Sequence, residues 1–228
     1  MGLLVVTAGL WANSMVRAAE GQGEALVPLK ISLPKRLFQG TPKNIKPGPT
    51  LEKYVDKDRP AFNAPAGVTN LALRKKVTAS DAQPVVGELA MITDGDKEGS
   101  DGSFVELGPD KQWVQIDLET PAEIYAVAVW HYHGEARVYH DIVVQVADDS
   151  DFIENVKTIF NNDFDNSSGL GVGKHQEYIE DFRGRLIDAR GEKGEPVKAR
   201  FVRLYSKGNT SNDLNHYVEV EVYGKAAK

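Results

Sequence analysis

Apolar and polar residues alternate in short runs along most of the chain. Over 113–118 the alternation puts Val114, Ile116 and Leu118 on one face, the period-two signature of a strand buried on one side. Residues 141–146 set Ile142, Val144 and Val146 inward in the same way. Residues 217–223 place Val218, Val220 and Val222 on one face and Glu219 and Glu221 on the other. Residues 156–160 and 201–205 read as two further short strands. The run 124–130 is different, being apolar on both faces, as expected of a central strand covered on both sides. Clusters of Gly, Asn, Asp and Ser separate these runs, most clearly over 161–173, and no long helical period or internal repeat interrupts them. Many short strands joined by polar loops predict an all-β, antiparallel sandwich.

The first third of the chain has another texture. Residues 20–66 hold seven of the 11 prolines. Proline removes a backbone donor and holds the preceding residue extended, so this stretch is neither helix nor inner strand. It is expected to be an extended arm or linker over 19–66, with Leu29, Ile31, Leu33, Leu37 and Phe38 available to lie against the sandwich, itself expected over 67–225. Upstream, Gly2–Trp11 is almost wholly apolar, and Val16-Arg17-Ala18 offers small residues at the −3 and −1 positions of a cleavage site. Residues 1–18 are therefore expected to be a signal peptide, and the mature protein to be secreted, periplasmic or at the cell surface. The apolar run is shorter than the roughly 20 residues that span a bilayer, so no transmembrane segment is expected in the mature chain.

Charge sharpens the division. The 228 residues carry a formal charge of −6. Residues 27–66 have eight Lys/Arg against three Asp/Glu, while 67–228 have 18 against 28. An acidic folded part argues against nucleic acid as a partner, since phosphate neutralisation needs clustered cations. The basic arm is the segment expected to reach a protein partner, with a solvated linker as the alternative. The absence of cysteine excludes disulfides and thiol-based metal or redox chemistry.

Three clusters carry candidate chemistry. Asp94-Gly95-Asp96-Lys97-Glu98-Gly99-Ser100-Asp101-Gly102 concentrates oxygen ligands and glycines, the material of a calcium loop. It starts like an EF-hand, but position twelve is Val105 and no helical pattern flanks it. A polar turn between strands is the plainer reading. The second cluster joins two strands and includes Trp130, His131, Tyr132, His133, Arg137, Tyr139 and His140. Aromatic faces with His and Arg donors suit a sugar. The alternatives are ordinary packing, or a zinc or copper site on His131, His133 and His140. The third cluster, with Asn209 and Asn212, has good hydrogen-bonding chemistry for a glycan and is equally a plain turn. No serine elbow, phosphate-cradling glycine loop or His-Glu-x-x-His helix is present.

Five motifs in order then carry a resemblance: Asn70-Leu71-Ala72-Leu73 with Val77-Thr78-Ala79-Ser80, Ile92-Thr93-Asp94-Gly95-Asp96, Trp113-Val114-Gln115-Ile116-Asp117-Leu118, Ala199-Arg200-Phe201-Val202-Arg203-Leu204 and Val218-Glu219-Val220-Glu221-Val222-Tyr223-Gly224. Together they resemble the discoidin family, comprising coagulation-factor type C domains and family 32 carbohydrate-binding modules, over residues 70–224. The resemblance implies a galactose-binding-like jelly-roll sandwich with a structural calcium ion. The ligands it implies are the carbonyls of Met91 and Val218, the carboxylates of Asp94, Asp96 and Glu219, and a later loop ligand at Gly99 or Ser100. It implies a non-catalytic exported module that recognises a glycan or polysaccharide. The other classes kept open are a protein-interaction or assembly domain and a histidine-based metal-binding or enzymatic sandwich.

Overall fold

The structure is a computed structural model that describes residues 24–227. The expected signal peptide at 1–18 lies outside the described residues. The twelve strands, in chain order, are β1 (Leu26–Pro28), β2 (Asn63–Pro65), β3 (Thr69–Asn70), β4 (Val77–Ala79), β5 (Val105–Leu107), β6 (Gln112–Trp130), β7 (Val143–Ala147), β8 (Lys157–Asn161), β9 (Arg185–Asp188), β10 (Val197–Ser206), β11 (Asn215–Tyr217) and β12 (Glu219–Ala226). All named strand pairs are antiparallel. A 3-10 helix over Leu89–Thr93 is the one helical element among the described residues.

Strand β6 organises the sandwich. The two runs read from sequence at 113–118 and 124–130 are halves of this single strand, which bends sharply between them. Glu119 takes a φ of 71°, and Pro121 follows it. The first half pairs with β4 and with the C-terminal half of β10, which continues to β7 and β8. The second half pairs with β9 and with β12, which continues to β3. Strand β10 turns the same corner through a register shift between Ala199 and Phe201. One ribbon of hydrogen bonds thus folds over to make two facing sheets.

The main core lies between the sheets. Val114, Ile116 and Leu118 meet Ile142, Val144, Val146, Val202 and Leu204 from one side and Val127, Val129, Val220, Val222 and Ile187 from the other. The inward set on β6 changes parity, from Ile124 to Val127, because the pairing with β12 skips Tyr125. A bulge of this kind rotates the alternation by one residue.

The opposite face of β6 is covered as well. Ala126, Ala128, Trp130, Val218 and Tyr223 form a second apolar cluster, packed by Leu29, Ile31 and Phe62 of the arm together with Val68, Phe104 and Leu186. Val218 departs from the expected face. It falls in the break between β11 and β12, so the valine alternation begins only at Val220. Glu219 and Glu221 do lie opposite the valines, but both are buried.

The arm pairs with itself and also follows the sandwich. Strands β1 and β2 pair with each other, and the Leu29 amide donates to the Phe62 carbonyl at 2.8 Å. Asn44 reaches the Ala136 carbonyl at 3.2 Å. Residues 50–52 run parallel to Glu177, whose backbone exchanges hydrogen bonds with Thr50 and Glu52.

Candidate functional site

The 3-10 helix ends at Thr93, where the Arg74 amide bonds the Thr93 carbonyl and the Thr93 hydroxyl donates to the Lys75 carbonyl at 2.9 Å. Two successive Asx turns follow. The Asp96 amide donates to Asp94 Oδ1 at 2.8 Å, and the Glu98 amide donates to Asp96 Oδ1 at 2.9 Å. Gly95 takes a φ of +94°, which glycine adopts without strain, and this turns its amide to Glu219 Oε2 at 3.2 Å. The loop and the last strand therefore meet at Asp94, Gly95 and Glu219.

Glu219 is fully buried, and its Oε1 has no partner. Burial pushes its carboxyl up to about 9, with the neighbouring charges of Glu221 and Asp94 adding to the rise. An orphaned oxygen on a buried carboxylate, next to a loop of further carboxylates, is the donor chemistry a hard cation satisfies. The remaining residues of the expected set are placed less closely. Met91 O accepts from the Asp94 amide at 3.5 Å, and the Val218 amide donates to Trp130 O at 2.8 Å. Ser100 Oγ lies 3.4 Å from Ser103 Oγ. Gly99 packs on the His133 ring, where an added Cβ would come within 2.5 Å. Beside the loop, Lys97 Nζ is buried, 2.7 Å from Glu221 Oε1 and 3.1 Å from Ser32 Oγ of the arm. The Tyr223 hydroxyl donates to Glu221 Oε2 at 2.6 Å.

The 130–140 segment sits largely indoors. Trp130, His131, His133 and Tyr139 have at most 1% of their surface exposed, and Tyr132 has 8%. Trp130 belongs to the cluster under the arm, and its Nε1 donates to the Phe182 carbonyl at 3.0 Å. His131 stacks on Tyr139 with centroids 4.4 Å apart, and its Nδ1 lies 3.0 Å from Glu180 Oε2. Burial pushes His131 down to about 3 and drives the Glu180 carboxyl far above the usual range, so burial favours the uncharged form of each partner. His133 Nε2 contacts the Lys97 carbonyl at 2.9 Å. The Tyr132 hydroxyl donates to Asp101 at 3.1 Å, and Arg137 lies over the Tyr132 ring at 4.6 Å. These positions correct the expected sugar platform, because rings without exposed surface offer no face to stack on. The three histidines do not share a metal either. His131, His133 and His140 face Glu180, the Lys97 carbonyl and Glu177 respectively. Asn209 is buried inside its own turn, where its Nδ2 donates to Asn212 Oδ1 and the Leu214 carbonyl. Of the residues singled out for ligand contact, Arg137, His140 and Asn212 reach the surface.

The structure shows a cleft that the sequence did not mark. A volume of about 410 Å³ opens between arm residues 52–60 and residues 178–186 leading into β9. It is lined by Tyr54, Arg59, Tyr178, Asp181, Arg183 and Arg185, among others. Each wall is held by planar groups. Arg185 Nη1 donates to both oxygens of Glu52 at 2.8 and 2.9 Å. The Tyr54 hydroxyl donates to Asp181 Oδ2 at 3.0 Å. Arg183 pairs with Asp181 through Nε and Nη2, and its Nη1 donates to the Val55 and Lys57 carbonyls. The alternation Asp181-Phe182-Arg183-Gly184-Arg185 was the available sequence signal, but nothing in it names the arm as the facing wall. A second cleft of about 550 Å³ lies between 27–32 and the sandwich, with Lys97, Glu221 and Tyr223 among its lining.

Among known proteins, no protein-family profile matches the chain. No curated protein sequence matches it either. Solved structures do. A family 89 glycoside hydrolase from Clostridium perfringens superposes with a TM-score of 0.50 at 19% identity, covering 69% of this chain and 15% of that one. Chitosan-binding module 1 of a Paenibacillus chitosanase/glucanase gives 0.44 at 23% identity, covering 68% of this chain and 99% of the module. A fucose-binding module from Streptococcus pneumoniae gives 0.44 at 18%, covering 68% and 97%. This chain thus spans about a seventh of the hydrolase it matches. The chain shares its all-β, antiparallel sandwich fold with the matched part of that hydrolase.

Proposed function

We propose that this chain is a non-catalytic, exported carbohydrate-binding module whose sandwich is clamped by a structural calcium ion. The observation that carries the binding reading is the cleft at the arm–sandwich seam. Its volume falls in the range of small-ligand sites, about 300–1,000 Å³. It sets the part-exposed Tyr54 ring beside guanidinium and carboxylate groups, the pairing that grips a sugar by its apolar face and its hydroxyls. The chitosan-binding and fucose-binding modules that superpose on this chain belong to the same functional class.

For the ion, Asp94, Asp96 and Glu219 would supply carboxylates, with the carbonyls of Met91 and Val218 and the Gly99–Ser100 turn alongside. The ion would compensate the buried Glu219 charge and tie the loop to β12. Among the described residues, no helix is long and apolar enough to cross a membrane. Affinity electrophoresis of the full chain through polysaccharide-containing gels tests the binding function. Retardation by at least one polymer, relieved by Tyr54→Ala, is expected. No retardation across a panel of neutral and acidic polysaccharides, together with a silent glycan array, overturns it.

A further inference from the structure

The arm cleft carries an unbalanced charge in an otherwise acidic chain. Its lining includes five cationic side chains, Lys53, Lys57, Arg59, Arg183 and Arg185, against three carboxylates, Glu52, Asp58 and Asp181. Two of those carboxylates are already spent inside the walls, Glu52 on Arg185 and Asp181 on Arg183 and Tyr54. Arg59 is the exception among the three arginines. Its Nη2 donates to the backbone carbonyls of Arg183 and Gly184, and it has no ion pair with a carboxylate. Among the described residues, Nε and Nη1 of its fork make no hydrogen bond, and only Nη2 does. Burial and the nearby Arg183 charge push Arg59 below its usual value, and the charges of Asp181 and Glu180 offset this only in part.

Tyr178 supplies a second, independent observation. It is 5% exposed, it lines the same cleft, and its buried hydroxyl has no hydrogen-bond partner. Buried polar groups are ordinarily paired, so an orphaned phenol in a cleft wall marks a donor waiting for an acceptor. Its ring lies under the Arg185 guanidinium, 4.8 Å from the centroid.

We propose that this cleft, built jointly by the arm and the segment before β9, binds a compact oxyanion, with Arg59 as its cationic fork and the Tyr178 hydroxyl as a second donor. The proposal rests on the carbohydrate reading for its carrier, an acidic sugar whose carboxylate or sulfate enters the cleft. The planar guanidinium fork matches carboxylate, sulfate and phosphate geometry alike.

Calorimetric titration of the full chain tests it, with galacturonate, galactose 6-sulfate, galactose and inorganic phosphate as probes. A charged sugar is expected to bind at least tenfold more tightly than galactose. Arg59→Gln is expected to erase that difference, and Tyr178→Phe, which deletes only a hydroxyl, to narrow it several-fold. Tyr178→Phe keeps the test valid should Arg59→Gln fold poorly. Equal affinity for charged and neutral sugars, or a preference unmoved by both variants, overturns the oxyanion site while leaving a carbohydrate module standing. Arg59-dependent phosphate binding with no sugar bound at all upholds the oxyanion site and overturns the carbohydrate reading. No binding of any probe overturns both.

Discussion

Glu219→Gln separates the proposed calcium clamp from an ordinary buried acid, because its effect should reverse sign with the ion. In the metal-free protein the Glu219 carboxyl is raised from 4.5 to about 9. Folding at pH 7 without an ion then requires the side chain to take up a proton that it does not carry in the unfolded chain. Each pH unit above the unfolded value costs 1.36 kcal/mol, so the penalty at pH 7 is about 3 kcal/mol. A carboxyl raised on folding imposes a cost that is absent below pH 4.5 and grows as pH climbs towards about 9. Glutamine keeps an oxygen to accept the Gly95 amide and never needs the proton. In EDTA at pH 7, Glu219→Gln should therefore raise the melting temperature, by roughly 6–12 °C for a chain of this size. In calcium the order should invert. The ion favours the ionised carboxylate, and a thousandfold excess over Kd adds about 4.1 kcal/mol to the wild type, more than the penalty, which the amide largely forgoes. Scanning calorimetry of both proteins at pH 5, 7 and 9, with EDTA and with calcium, reads the whole scheme. A Gln variant that melts lower than wild type in EDTA, or a calcium shift equal in the two proteins, refutes the reasoning.

Three further outcomes follow from the same contacts. Lys97→Met strips the cation from buried Glu221 and should cost about 3 kcal/mol, since breaking one partner of a buried pair leaves an uncompensated charge; a urea denaturation shift below about 1 kcal/mol would contradict the pairing. Deleting residues 24–66 uncovers Ala126, Ala128, Trp130 and Tyr223, so the shortened chain should bind ANS and melt lower than the full one, whereas an unchanged melt would show that the arm adds nothing to the core. His140 is raised by its hydrogen bond to Glu177, and Glu177 is lowered by the same contact. Their pairing therefore holds the arm at Thr50 and Glu52 below the raised histidine value and lets go as pH rises through it. Glu52 amide exchange, corrected for its intrinsic rate, should accelerate across that window in wild type but not in His140→Ala.

The strands were legible because one face of each is buried, and period-two burial leaves a period-two sequence. The reading failed where the backbone changes phase. The corner at Glu119 hides the continuity of 113–118 with 124–130, since a bend inside one strand and a loop between two look alike in composition. The bulge at Tyr125 and the break at Val218 each shift the alternation by one residue, and neither has a residue type that announces it. Burial of Glu219 and Glu221 was also invisible. A glutamate opposite a valine stripe normally faces water, and here the arm and the Gly95 loop cover that face instead.

The functional surface was less legible than the fold for a related reason. A chemical motif can be read from sequence when its members are neighbours, as in Asp94-Gly95-Asp96, or when a resemblance joins distant ones, as it joined that loop to Glu219. The 130–140 segment satisfied the first condition and misled, because the loop that leaves β6 after Trp130 folds inward and buries its rings. The arm cleft satisfied neither condition. Its walls are more than 100 residues apart in the chain, and one of them is the proline-rich stretch whose composition reads as a spacer. The eight basic residues of 27–66 looked like a surface for an acidic partner. In the fold, two of them turn back on the protein: Arg36 pairs with Asp56, and Arg59 commits only its Nη2, to the carbonyls of Arg183 and Gly184. What the arm supplies is therefore local: an apolar lid over Trp130 and one cationic wall of a cleft that the sandwich alone does not make.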